Sequence, residues 1–396
     1  MEVNKIEEKK TLGWPFYAWL TAVAVSLIIG LWGEVMVLIK GHELTMGTTR
    51  DVPWGIFMAG FAFFVGASAG ATIVGLMIHA FGRHDYIQLG IPALLVGLLS
   101  LMAAVLFIMV DIPIINLPIM ILIPWLLRNL TSMFVYTSTT YYLFGLILLA
   151  ELYFAVKITR GSASNMDKKM AKWLAIIAVP FALCVLHAPH GALFAVIKAR
   201  EYWNTPLLPP HFAIAALSTG TAIMIIIAIA TPKISKGGLV GRETLDHLGK
   251  LLALFIAVTI FFDFFDILVL TYSETPSRME AWRLLTGRYA PLFSLNIWGL
   301  LFALLILLFK QGRNIKGLFV ASSLTLAGIA AYRYNLVIVG QLVPLSPGKE
   351  IHYSPTTVEI SITVGIVGLI MFLYTVLTRV LSLEETVPRE RREKWI

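Results

Sequence analysis

Apolar runs long enough to cross a bilayer recur ten times along this chain of 396 residues. A bilayer core is about 30 Å thick and a helix rises about 1.5 Å per residue, so about 20 apolar residues span it. The runs fall at roughly 14–38, 53–81, 86–110, 131–158, 169–196, 209–231, 244–272, 288–310, 316–343 and 354–383. Of all residues 58% are apolar and only 14% are charged, against about 25% charged in a soluble domain. An ordinary soluble enzyme is excluded, and so is disorder. The expected fold is an all-α polytopic membrane protein forming one integral membrane domain. A first helix (14–38) and a last helix (354–383) flank two four-helix bundles, at 53–196 and 209–343. The first run is too long for a signal-peptide core and no small-residue cleavage pattern follows it, so it reads as a retained helix. The Pro- and Ile-rich stretch Ile112–Leu127 reads as a re-entrant or interface-lying piece.

With ten spans both termini lie on one side. That side carries 21 of the 31 Lys and Arg residues, the other side nine, and Arg333 alone lies inside a span. The excess of basic residues places the termini in the cytoplasm of a cell membrane protein. The net charge of +8 therefore reads as a topology signal. Lipid is the expected surroundings, and no nucleic-acid partner is expected. Cys184 is the only cysteine. An iron–sulfur cluster needs several thiolates, so none is expected in this chain.

Ionisable groups deep in a membrane are costly, about 2.5–3.5 kcal/mol each on insertion scales. Glu151, Asp263, Asp266 and Arg333 are such groups, while Asp111 and Glu359 lie near outer span ends. Asp263 and Asp266 are three residues apart and share a helix face. Two carboxylates that close disfavour double ionisation, which suits a proton path. A structural pair salt-bridged to Arg333 explains them as well. Glu151 fits either a proton path or a local ion pair with Lys157. The five histidines of interest are His79, His187, His190, His211 and His247. A transmembrane haem needs two axial His from facing helices at matched depth. His79 and His247 sit near cytoplasmic ends and the other three near the outer end, so no haem is expected. In the second span Gly66 and Gly70 form GxxxG, a close-packing signal first and room for a flat ring or isoprenoid tail second.

Further motifs carry a family resemblance. Thr-Arg-Asp-Val-Pro-Trp-Gly leads into the glycine-rich second helix. Val110-Asp111 closes the third, and Asn129-Leu130-Thr131-Ser132-Met133 opens the fourth. The block HAPHGALFAVIKAREYWNTPLLPPH covers 187–211. Ala331-Tyr332-Arg333-Tyr334-Asn335 is followed by Ser354-Pro355-Thr356 and Glu359. Together, from about residue 48 to 375, they resemble the NrfD/PsrC family of polysulfide reductase-type membrane subunits, in its ten-helix branch.

That resemblance implies a non-catalytic anchor within an oxidoreductase. Its partners would be a ferredoxin-like iron–sulfur subunit and a catalytic subunit, a molybdopterin enzyme or hydrogenase, on the extracytoplasmic face. Menaquinone or another quinone would bind non-covalently near that face. Asp111 and Arg200 fall on family positions with quinone-site polar residues, and Trp54 on an aromatic of the same bundle. Met58 and Phe61 stand where some members carry Asn and His, so a His acceptor there does not carry over. A quinone site wants an apolar slot, a few polar grips and a protonatable group. The outer ends of the second to fifth helices supply Trp54, Asp111, Tyr136, Tyr141, Tyr142, His187, His190 and Arg200. The residues alone leave two alternatives open. One is a secondary transporter or proton channel using Asp263, Asp266 and Arg333. The other is a purely structural anchor.

Overall fold

The computed structural model describes residues 13–79, 81–112, 132–234, 240–344 and 351–381. Among them ten helices are long and apolar enough to cross a membrane: Trp14–Lys40, Ile56–His79, Ile87–Asp111, Val135–Thr159, Asn165–Ala195, Leu208–Ala230, Arg242–Tyr272, Ala290–Leu308, Ile315–Leu342 and Thr357–Val380. We number these spans one to ten. The chain is an all-α, multi-pass membrane protein. Most of the stretch expected to be re-entrant lies outside the described residues.

Small residues decide how the spans approach one another. The first span packs on the tenth, where Gly30 and Gly365 touch Cα to Cα so closely that neither site has room for a Cβ. Trp19 Nε1 donates to Thr375 Oγ1 at 3.0 Å on the same seam. The second span runs against the third and the sixth. At the latter crossing Gly70 meets Ala216 and Gly220 backbone to backbone. Lipid offers no hydrophobic drive for helices to associate, so such close contact supplies the attraction. In the most apolar stretch of the second span 78% of the residues are buried and in that of the sixth 67%, against 17% in the first. The second and sixth are therefore the central posts. Spans two to five contact in sequence, as do six and seven, seven and eight, and eight and nine. The ninth also packs on the second and sixth, which ties the two groups together.

Two spans depart from regular helix. The second is interrupted at Thr72, between helical segments Ile56–Ala71 and Ile73–His79. Its hydroxyl bonds back to the Ala69 carbonyl at 2.7 Å. The fifth passes from α-helix (Asn165–Pro180) into a π-helical turn (Phe181–His187) and back (Ala188–Ala195). Pro180 and Pro189 bracket the turn. Neither can donate a backbone hydrogen bond, and insertion of a wider turn is one way a helix absorbs such a gap. The extra rotation turns His187 and His190 inward, where both are fully buried. On the side of the molecule away from the termini, a short helix, Pro276–Thr286, sits between the seventh and eighth spans. The sequence reads there only as a loop rich in Pro, Trp and Tyr.

Candidate functional site

Three polar groups lie toward the ends of the spans away from the termini. The first stitches the second span to the ninth. Trp54 donates its backbone N–H to Gln341 Oε1 at 3.0 Å, and Gln341 Nε2 returns a bond to the Trp54 carbonyl at 2.8 Å. The indole of Trp54 stacks on Trp203 at 5.5 Å and meets Phe194 edge-on at 5.6 Å. Trp203 lies over Gly340, where any Cβ would strike its ring, and donates Nε1–H to the Leu336 carbonyl at 2.7 Å. Arg200 donates from Nη1 to the carbonyls of Gln341 at 3.0 Å and Val343 at 2.6 Å. A cation on the last carbonyls of a helix satisfies groups that lack an intrahelical donor. Burial draws the Arg200 guanidinium below its usual range, with Asp51 opposing.

Asp111 ends the third span half-buried and lies within electrostatic range of Glu359. Glu359 is buried and accepts from the Tyr353 hydroxyl at 3.2 Å and the Thr356 N–H at 2.7 Å. Tyr353 Oη in turn accepts from the Ile56 N–H at 2.8 Å. Burial and the Glu359 charge push the Tyr353 phenol well above its ordinary range. The entry to the second span is thus clamped to the start of the tenth.

The second group is the histidine pair. Tyr141 Oη lies 2.5 Å from His190 Nδ1. Phe61 meets both rings edge-on, at 5.5 Å from Tyr141 and 4.9 Å from His190. Phe194 and Phe212 close the other sides of His190, at 6.2 and 5.5 Å. His187 lies parallel to His190 at 6.0 Å. Both nitrogens of His187 and Nε2 of His190 are buried with no hydrogen-bond partner. Tyr136 and Tyr142, expected beside them, are instead 42% and 48% exposed. Their side chains point off the fourth span, away from the buried Tyr141–His190 contact. Tyr136 is a half-turn out of phase with Tyr141, so the two cannot share a helix face.

The third group surrounds His211, whose ring is fully buried. Its Nδ1 is 3.2 Å from Asp266 Oδ2 and 3.1 Å from Tyr332 Oη. Nε2 is 3.4 Å from Asp263 Oδ1, in ion-pair range though without hydrogen-bond geometry. Asn296 donates to Asp263 at 3.5 Å. A cavity of about 50 Å³ adjoins this group, lined by Tyr202, Asp263, Asp266, Asn296, Tyr332 and Asn335 among others. That is room for a few water molecules.

These positions correct two of the alternative readings. Among the described residues no salt bridge joins Arg333 to the carboxylate pair, and the side chain that stands against both carboxylates is His211. Arg333 instead lies flat on Phe212, its guanidinium carbon 3.5 Å from the ring centroid, with Nε and Nη1 unpartnered. Glu151 does not pair with Lys157, which bonds Asp167 across the loop at 2.8 Å. Six residues along a helix turn a side chain about 120° off the starting face, so Glu151 and Lys157 diverge. Sequence reasoning assigned no role to Trp203, Gln341 and Tyr332, and placed His211 only generally at the outer end. A signal for His211 existed. It opens the sixth span much as Asp266 precedes the end of the seventh, so the two match in depth.

The family model for polysulphide reductase NrfD matches residues 45–345. The chain belongs to this family. A selenate reductase subunit of Mesobacillus selenatarsenatis is 26% identical over 90% of this chain and 92% of its own length. The Hdr-like menaquinol oxidoreductase integral membrane subunit of Archaeoglobus fulgidus is 24% identical over 97% and 96%. As an NrfD-family chain it is a membrane subunit of the oxidoreductase type. The match covers all three polar groups except their tenth-span contacts.

Proposed function

We propose that this NrfD-family subunit binds a quinone beside Tyr141 and His190. It exchanges electrons between the quinone pool and an iron–sulfur subunit docked on the extracytoplasmic face. That partner in turn serves a catalytic subunit, of molybdopterin or hydrogenase type. The observation that carries the reading is the Tyr141–His190 contact, buried among Phe61, Phe194 and Phe212. Aromatic faces suit a flat ring. The unpartnered His190 Nε2 is a buried polar atom that wants a partner, and a quinone oxygen fits it. The menaquinol oxidoreductase subunit among the relatives supports a quinone as the substrate class.

A quinone, when bound, supplies the two-electron, two-proton chemistry. The chain orients it and handles the protons. Tyr141 fixes His190 through Nδ1, leaving Nε2 as the atom that holds or gives a proton. The Asp263–His211–Asp266 group supports proton coupling, because it joins protonatable side chains to a cavity large enough for water. Asp111 and Arg200 act less directly, by holding the second span's entry against the ninth and tenth.

The test is quinol-dependent turnover by the assembled complex. General acid–base groups contribute about 10²–10⁴-fold, so Tyr141→Phe and His190→Asn should each cut the rate at least about tenfold. Inhibitor binding should weaken in parallel. Asp263→Asn should lower proton translocation more than electron transfer. Unchanged turnover in both Tyr141 and His190 variants would retire the site.

A further inference from the structure

Glu151 lies in the half of the fourth span nearer the termini, on a wall that none of the three polar groups reaches. It is 6% exposed, and its Oε1 has no hydrogen-bond partner. A cavity of about 30 Å³ adjoins it, lined by Thr72, Gly75, His79, Gly90, Ala171 and Ala175 among others. That volume holds about two waters. The helix break at Thr72 borders the cavity, and the half-buried His79 lines it toward the membrane surface.

We propose that Glu151 is a proton-exchange site on the terminus side of the membrane, filled and emptied through this cavity. A carboxylate taken out of water without a cation costs several kcal/mol. The neutral acid escapes that cost, and the water-sized cavity against the carboxyl gives its proton a path on and off. In the exchange one proton passes from a cavity water to a carboxylate oxygen, giving the acid, and returns by the same route. The facing groups are few. From the second span His79 lines the cavity, with Lys172 of the fifth span in electrostatic range of it. The third span contributes only apolar wall here, including Gly90, Ala93 and Leu94. On Glu151's own helix Lys157 is held by Asp167. With a single carboxyl and a wall of alanines, the cavity lacks the six or so oxygens that a hard cation takes.

The site is separate from the histidine pair. Gly66 touches His187, whereas Gly75 borders Glu151. Nine residues of helix separate those contacts by about 13 Å, beyond any direct hydrogen bond. The assignment therefore goes beyond the quinone reading and does not depend on it.

The experiment uses dicyclohexylcarbodiimide on the intact complex in membranes, read by mass spectrometry of the peptide containing Glu151. The reagent attacks protonated carboxyls in apolar surroundings. The acid O–H adds across a C=N bond, and the adduct gains the whole reagent mass with no leaving group. Labelling at Glu151 should occur near pH 6 and fall about fivefold or more by pH 9, the range over which buried carboxyls give up their proton. Glu151→Asp should retain it, and Glu151→Gln should lose it. Three outcomes overturn the proposal. Absence of adduct at the lower pH means that no exchangeable acid is present. Labelling independent of pH means a permanently neutral structural acid. Suppression by added Na⁺ at fixed pH means a cation site. None of these results depends on quinol turnover, so they stand apart from the test of the quinone site.

Discussion

Removing His211 should reveal an interaction energy that neither Asp263 nor Asp266 carries alone. The ring stands 3.4 Å from one carboxylate and 3.2 Å from the other. At an effective dielectric of about 20, a protonated ring and a carboxylate 3.4 Å apart would attract by about 5 kcal/mol, whereas a neutral ring keeps only its hydrogen bonds. Desolvation of both groups offsets most of that. A double-mutant cycle isolates the remainder, and residues in one network typically couple by about 0.5–3 kcal/mol. Asp263 is nearly closed to solvent while Asp266 is 23% exposed. We therefore expect about 1–3 kcal/mol between His211→Ala and Asp263→Asn, and less between His211→Ala and Asp266→Asn. The assay is reversible unfolding in mixed micelles for the wild type, both single variants and the double variant. If the two single effects simply add to within about 0.5 kcal/mol, His211 and Asp263 are neighbours without partnership. The electrostatic account of this group then fails.

Four other perturbations test the scaffold. Gly70→Ala drives a Cβ into the Ala216 carbonyl of the sixth span and should cost about 1–3 kcal/mol or more by overpacking. Gly90→Ala meets only Ile78 Cδ1 at 3.4 Å and should be neutral or stabilising by up to about 1 kcal/mol; thermal unfolding in detergent ranks the two. Arg200→Ala leaves the Gln341 and Val343 carbonyls without their donor, a loss of about 1–3 kcal/mol, and should change Trp54 and Trp203 fluorescence, with Arg200→Lys recovering part of both. Glu201 accepts from Thr275 at 2.7 Å and from Ser277, and those bonds hold its carboxyl below the usual range. A depressed carboxylate stabilises above its unfolded value and loses that contribution as pH falls through the folded one. Protection of the amides in the Pro276–Thr286 helix, taken relative to their intrinsic exchange rates, should therefore fall on acidification below about pH 4, and Glu201→Gln should remove that pH dependence.

How much of this was legible in the sequence varies by level. Ten apolar runs give ten spans, because nothing but a helix satisfies its own backbone in lipid. Boundaries moved by a few residues, and the short helix Pro276–Thr286 was passed over as part of an outer loop, although Thr275 at its N-cap, Pro276 in its first turn and the Met, Glu, Ala, Arg and Leu that follow all favour a helix. The burial of Asp263 and Arg333 was legible from depth alone. Their partners were not. Arg333 is the obvious cation for an i, i+3 acid pair, yet the structure gives that place to His211 and lays Arg333 on Phe212. Sequence depth cannot tell which face of the ninth span turns to which neighbour. The inward turn of His187 and His190 depends on the π-helical stretch between Pro180 and Pro189, and an ideal 3.6-residue helix would orient them differently. Tyr141 separated itself from Tyr136 and Tyr142 only once the helix face was known.

The histidine pair and the acid group are more closely joined than their chain positions suggest. His211 and Phe212 are adjacent on the sixth span, and Tyr332 and Arg333 are adjacent on the ninth. His211 and Tyr332 belong to the acid group, whereas Phe212 borders His187 and His190 and carries Arg333 on its face. Two neighbouring residue pairs thus serve both groups from the two helices that tie the halves together. Arg333 is a buried charge with Nε and Nη1 unpartnered, so its field is not quenched by an acid of its own. It acts instead on both sides, since both His187 and Asp263 lie within its electrostatic reach. One fixed cation thus sets the electrostatic background of both groups at once, without any movement of the helices.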